Sequence, residues 1–133
     1  MADRANGVLL DSSVVIAYLR GRLDLRRHVT PNEPLFLPLV GLGELYKGAL
    51  KSERVAQNLQ QIGALLTNVA VLNPDPATAL KYAEVAAALE RAGGLIPEND
   101  MWIAAVALEC DMPLATLDEH FQRVSGLTVL DWR

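Results

Sequence analysis

The stretch Gly93-Gly-Leu-Ile-Pro97-Glu-Asn-Asp100-Met-Trp-Ile-Ala-Ala-Val-Ala-Leu108-Glu-Cys-Asp-Met-Pro113-Leu-Ala-Thr116-Leu-Asp118-Glu-His-Phe121 decides how the rest of the chain is read. It spells helix, turn, strand, turn. Pro97 suits the first turn of a helix, and Met101 to Leu108 are apolar on every face, the pattern of a helix held between a sheet and another layer. Asp100 stands at the start of that helix, on the stripe of Ile103, Ala104 and Ala107 by the three-and-four spacing, so its carboxylate lies along the buried face. The short strand Pro113 to Thr116 then delivers a second acid, Asp118, just past its C-terminal end. Taken singly, each acid has an ordinary explanation: Asp100 complements the helix dipole, and Asp118 begins a surface turn. Their convergence calls for a different one.

Working outward, the same alternation recurs. Gly7 to Leu10 is a short apolar strand followed by Asp11, with Ser12 and Ser13 as candidate caps for a helix Val14 to Leu19 that Gly21 stops. Leu35 to Val40 is a second apolar run containing Pro38, and Glu44 is expected to open the next helix. Ser52 is expected to cap a further helix carrying Val55, Leu59, Ile62 and Leu66, before a third strand, Val69 to Leu72. In Asn73-Pro-Asp75-Pro76, Asp75 is the predicted N-cap and Pro76 the first helical residue of an amphipathic helix ended by Gly93-Gly94. Leu127 to Leu130 makes the fifth strand. Short apolar strands alternating with helices predict an α/β fold, a parallel sheet covered on both faces.

With 133 residues, 51% of them hydrophobic, the chain is expected to form one domain, residues 1–133. Net charge is −4, so no broad field favours a polyanion, yet seven of the twelve basic residues fall between Arg20 and Arg54. Arg20, Arg22 and Lys47 are the candidates for phosphate contacts. A single cysteine, Cys110, excludes an internal disulfide and a cysteine-rich zinc site. No apolar run has the length of a membrane span, and the N-terminus carries no leader-like segment, so a soluble, unprocessed cytoplasmic protein is expected.

Open parallel sheets bind ligands outside the carboxyl ends of their strands, where strand order reverses. Asp11, Glu44, Asp100 and Asp118 all map to that rim. Four close carboxylates raise one another's pKa unless a cation neutralises them, and an all-oxygen set suits Mg²⁺ or Mn²⁺. A metal there activates water for phosphodiester hydrolysis. Gly41-Leu-Gly43-Glu-Leu-Tyr46 has the outline of a dinucleotide loop but carries tyrosine at the third glycine position; its glycines are expected to bring a helix close to the sheet.

Asp11-Ser-Ser13-Val14, the run Leu37 to Ala49, Tyr82-Ala83, Ile96-Pro-Glu-Asn-Asp100-Met-Trp-Ile-Ala104-Ala105, Thr116-Leu-Asp118-Glu-His-Phe121 and Gly126-Leu127 together resemble the PIN domain of VapC-type toxins. The resemblance covers nearly the whole chain. It implies a sheet of order 3-2-1-4-5, a Mg²⁺- or Mn²⁺-dependent endoribonuclease cleaving RNA, homodimerisation, and inhibition by a cognate antitoxin. It also implies Asp11, Glu44, Asp100 and Asp118 as metal ligands, with Ser13 and Thr116 orienting carboxylates or water. Glu119 is the alternative fourth acid, Glu98 is expected to point elsewhere, His120 to be solvated, and Trp102 and Trp132 to serve core or interface. A receiver-like phosphoacceptor would need a lysine after the last strand, and none follows Lys81. A catalytically inactive PIN-like binding module would not need all four acids.

Overall fold

The computed structural model describes residues 7–133. Five parallel strands form one sheet in the order β3-β2-β1-β4-β5, with β1 at Val8–Leu10, β2 at Leu35–Pro38, β3 at Ala70–Leu72, β4 at Leu114–Thr116 and β5 at Val129–Asp131. Leu9 pairs with Phe36 on one side and Leu114 on the other, which makes β1 the centre of the sheet. Strand order therefore reverses between β1 and β4. All three residues of β1 are buried, as a strand covered on both faces requires.

The pleat sorts β1 between two cores. Val8 and Leu10 pack with Val14, Val15, Leu37, Leu42, Leu45 and Ile62, the core beneath α1 (Ser12–Leu19), α2 (Leu39–Leu50) and α3 (Val55–Leu65). Leu9 points the other way, into a core with Leu89, Ile103, Ala107, Leu114 and Phe121 beneath α4 (Pro76–Arg91) and α5 (Glu98–Glu109). Ala104 and Ala105 of α5 are fully buried and Ala107 nearly so. Small side chains let that helix lie close between the sheet and α4, which is why its apolar residues show no single stripe.

Helix ends follow their sequence signals where those are strong. Asp75 caps α4 by accepting from the Thr78 N–H at 3.1 Å while the Thr78 hydroxyl accepts from the Asp75 N–H at 3.0 Å, a reciprocal box with Pro76 at the first helical position. Gly21, at φ +73°, closes α1.

Elsewhere the structure corrects the expected boundaries. β2 stops at Pro38 and α2 begins at Leu39 with no loop, so Glu44 lies within the helix rather than opening it. Pro38 ends the strand with φ −69° and ψ 147°, a conformation that its ring favours and that hands the chain directly to the helix. Ser12 and Ser13 belong to α1 and neither caps it. Ser52 closes α2, donating to the Ala49 carbonyl at 2.6 Å, and does not cap α3. Pro97 precedes α5 as its N-cap. Gly41 does face the sheet, where a Cβ would meet Leu37 at 3.3 Å, whereas Gly43 has open space.

Because the Asp75 box is the side-chain anchor of α4's first turn, Asp75→Ala should lower the unfolding free energy by about 1 kcal/mol in urea titration. Unchanged stability would show that α4 is held by its packing alone.

Candidate metal centre

The rim formed by the carboxyl ends of β1 and β4 gathers the acids. Asp11 follows β1, and its N–H donates to the Ala115 carbonyl at 2.9 Å, so its backbone is tied to β4. Its side chain is buried and both of its hydrogen bonds fall on one oxygen. Oδ2 accepts from the Ser13 hydroxyl at 2.6 Å and from the Thr116 hydroxyl at 2.8 Å. Those hydroxyls are themselves aimed: Ser13 Oγ accepts from the Leu117 N–H at 3.1 Å, and Thr116 Oγ1 from the Asp118 N–H at 2.9 Å. Each chain of bonds runs from backbone amide through hydroxyl to carboxylate, so Oδ2 is saturated and the carboxylate plane fixed. Oδ1 has no hydrogen bond among the described residues.

Asp100 comes from the first turn of α5, with its side chain 12% exposed. Burial pushes its carboxyl up to about 6, and the negative charges of Asp11, Asp118 and Glu44 add to the rise while a hydrogen bond to His120 opposes it. A first-turn aspartate serving only the helix dipole would be held low. The rise comes first from burial, and the charges of Asp11, Asp118 and Glu44 add to it. Glu44, midway along α2, accepts from the Ser12 hydroxyl at 3.1 Å. Asp118 starts a 3₁₀ turn, Glu119–Arg123, by accepting from the His120 N–H at 2.9 Å.

The structure thus brings Asp11, Glu44, Asp100, Asp118, Ser13 and Thr116 to one rim, as the sequence suggests. Glu119 turns outward to Arg133 at 2.8 Å. Glu98 accepts from the Tyr82 hydroxyl instead of facing the acids, and Tyr82 stacks on Trp102 with ring centroids 4.0 Å apart. Trp132 is buried against His28, at 4.7 Å. One residue departs from expectation. His120 is not merely solvated, because its Nδ1 lies 3.0 Å from Asp118 Oδ1 and 3.4 Å from Asp100 Oδ2. The signal for it was local: Asp118-Glu-His120 is an acid capping the residue two positions on, which turns that side chain back to the rim.

Ligand atoms of Asp100, Asp118 and His120 fall within 4.8 Å of one another. An oxygen-rich donor set around a carboxyl group already destabilised by its neighbours fits a divalent cation, which would remove the repulsion that raises Asp100. An open cleft of about 1070 Å³ beside the acids is lined by Ser13, Asp118, His120 and Arg133, and two smaller ones run on the α1 side. One, of about 320 Å³, lies between α1, α2 and α3 and is lined by Ile16, Arg20, Glu44 and Arg54 among others. The second, of about 330 Å³, is lined by Ser13, Arg20, Arg22 and Trp132. They share Ile16 and Arg20, so exposed cations border the acidic rim on the α1 side.

A family model described as the PIN domain matches residues 8–127. Ribonuclease VapC1 of Haemophilus influenzae (strain R2866) is 32% identical over 129 residues, 93% of this chain and 96% of that relative. Among solved structures, VapBC-1 from nontypeable Haemophilus influenzae aligns with a TM-score of 0.84 at 32% identity, covering 94% of this chain and 97% of that one. VapBC-5 from Mycobacterium tuberculosis, a member of the VapBC family of toxin-antitoxin systems, aligns with a TM-score of 0.76 at 30% identity, covering 96% and 98%.

The raised Asp100 carboxyl has a consequence for stability without metal. Its folded value of about 6 lies above the ordinary 3.8, so between those values the folded protein holds a proton that the unfolded chain releases. Stability is lost as pH rises through that window. Asp100→Asn removes the loss and should stabilise the chelated protein at pH 7, by no more than about 3 kcal/mol, with the gain shrinking toward pH 4. Urea unfolding in EDTA across that range measures it, and a variant less stable than the parent at pH 7 would assign Asp100 to packing or the helix dipole instead.

Proposed function

The chain belongs to the PIN domain family, and from that premise we propose that it is a Mg²⁺- or Mn²⁺-dependent endoribonuclease and the toxin of a toxin–antitoxin pair. The observation that carries the reading is the gathering of Asp11, Glu44, Asp100 and Asp118 on one rim, where burial first and their mutual repulsion second push the Asp100 carboxyl up. Such repulsion destabilises a fold unless a cation relieves it.

In this reading Asp11, Glu44, Asp100 and Asp118 hold the metal. When bound, it supplies an activated water and neutralises charge at the scissile phosphodiester. Ser13 and Thr116 do their work on Asp11, keeping its Oδ2 occupied and thereby presenting Oδ1 in a constant orientation. Arg20 and Arg22, exposed beside the acids, and Lys47, exposed on α2, supply the phosphate contacts that a chain of net charge −4 cannot obtain from its overall field. Glu119, paired with Arg133, takes no part. The unit that acts is a single domain spanning residues 1–133, working as a homodimer in the cytoplasm. No described helix is long and apolar enough to cross a membrane.

The cleft beneath Ile16 and Arg20 also suits the antitoxin. Ile16 and Leu50 are 37% and 63% exposed on α1 and α2, an apolar surface beside an acidic one. An antitoxin segment with one apolar helical face and a basic side chain fits both, the helix lying along α1 and α2 and the cation entering among the acids.

Three outcomes test these readings. Purified protein should cleave single-stranded RNA with Mg²⁺ or Mn²⁺ and lose that activity in EDTA. Asp11→Asn should reduce the rate by about 10³-fold or more, and Ser13→Ala by a smaller factor, since the serine acts only through the aspartate. Cleavage persisting in chelator would remove the metal mechanism. Antitoxin affinity should weaken as Mg²⁺ rises at constant ionic strength, because the metal and the antitoxin's cation compete for the same carboxylates; indifference to Mg²⁺ would mean that inhibition is steric.

A further inference from the structure

We infer that His120 is itself a ligand of this cation site, so that the centre is a mixed nitrogen and oxygen one rather than a purely carboxylate one. The inference rests on the metal reading above and concerns a residue outside the four acids.

The turn after β4 explains part of the geometry. Asp118 Oδ1 accepts from the His120 N–H at 2.9 Å, and this local closure brings the imidazole back over the aspartate, with Nδ1 at 3.0 Å from the same oxygen. It does not explain Asp100. That residue arrives from the start of α5, twenty positions earlier in the chain, and yet its Oδ2 stands 3.4 Å from the same ring nitrogen. One imidazole nitrogen carries at most one proton, so as a donor it satisfies a single lone pair well. As a lone-pair donor it meets no such limit, because a cation between the three atoms is shared by all of them. The distances agree with that arrangement: neighbouring ligands in an octahedron of roughly 2.1 Å bonds lie about 3.0 Å apart. All three candidate atoms fall within 4.8 Å of one another.

The other acids divide the labour differently. Asp11 has one oxygen engaged by two hydroxyls, and Glu44 has one engaged by Ser12. Among the described residues Asp118 and Asp100 have no such hydroxyl partner, and what stands beside them is His120. Its side chain is 44% exposed, leaving the outer side of the site open to water and to a phosphate. A nitrogen ligand also changes which metal is preferred. Imidazole suits transition metals, whereas Mg²⁺ is served by oxygen alone, so His120 tilts the site toward Mn²⁺.

The test is metal binding, with no substrate present. Metal-free protein is titrated with Mn²⁺ and with Mg²⁺ by calorimetry, and the one-equivalent Mn²⁺ complex is examined by electron spin-echo envelope modulation, which detects a directly bonded imidazole nitrogen. The chain holds two histidines, and the other, His28, is stacked on Trp132. The unsubstituted protein should show the nitrogen coupling, and His28→Gln should keep it. His120→Ala should lose it, with Mn²⁺ affinity falling about tenfold or more and Mg²⁺ affinity staying within about twofold. Mn²⁺ bound without nitrogen coupling in the unsubstituted protein would overturn the role of His120 and leave the carboxylate site standing. Equal losses for both metals in His120→Ala would make it a positioning residue and overturn it as a ligand. Failure of the unsubstituted protein to bind Mn²⁺ at all would overturn the metal reading along with it. The spectra of the unsubstituted protein and of His28→Gln together decide the point even if His120→Ala does not fold.

Discussion

Like charges gathered where water is scarce are the constraint from which this structure is best understood. A parallel sheet points the ends of all its strands one way, so residues that follow β1 and β4 share one rim, and here those residues are acids. Asp11 is almost fully buried and Asp100 nearly so. Only Asp11 is compensated by hydroxyl donors. Asp11 takes two hydroxyl donors whose own acceptor positions are filled by backbone amides, and hydrogen bonds to a charged group contribute roughly 1.5–3 kcal/mol each. Asp100 lacks that support and shows the strain as a raised carboxyl. The asymmetry follows from the elements that carry them: a strand end offers neighbouring amides and hydroxyls, whereas the first turn of α5 points its amides along its own axis.

That difference explains which features were legible in the sequence. Asp11, Thr116 and Asp118 belong to strand ends, and strands as short as these are marked by apolar runs whose ends are easily read. Asp75 and Pro76 announce α4 in four residues, and α5 is declared by its unbroken apolar run. Pro38 was harder. A proline argues against strand and against helix interior alike, and only the three-dimensional chain shows it finishing β2 and starting α2 at once. The expectation that Glu44 opens a helix fails for the same reason, though its place on the rim survives because about one and a half turns of α2 carry it to the Ser12 hydroxyl at the start of α1. His120 is legible only in part: the turn at Asp118 that folds it back is local, but its approach to Asp100 joins that turn to a helix one strand earlier, which no local pattern encodes.

The tandem Ser12-Ser13 shows how one short segment sets the distance between acids from different elements. Both serines were candidate caps, and Ser13 was also expected to orient a carboxylate; they lie in the first turn of α1, where successive side chains diverge by about 100°. Ser13 therefore turns to Asp11 and Thr116 while Ser12 turns to Glu44 on α2. Because α1 begins directly after Asp11, the helix that leaves the sheet also holds the carboxylate that arrives from a neighbouring helix. Asp11 and Glu44 are thus held by two adjacent residues, the first acid by Ser13 and the second by Ser12. A site assembled this way keeps its geometry through the rigidity of α1, and leaves the opposite wall, built from α5 and the turn carrying His120, as the side on which a cation or a substrate makes its difference.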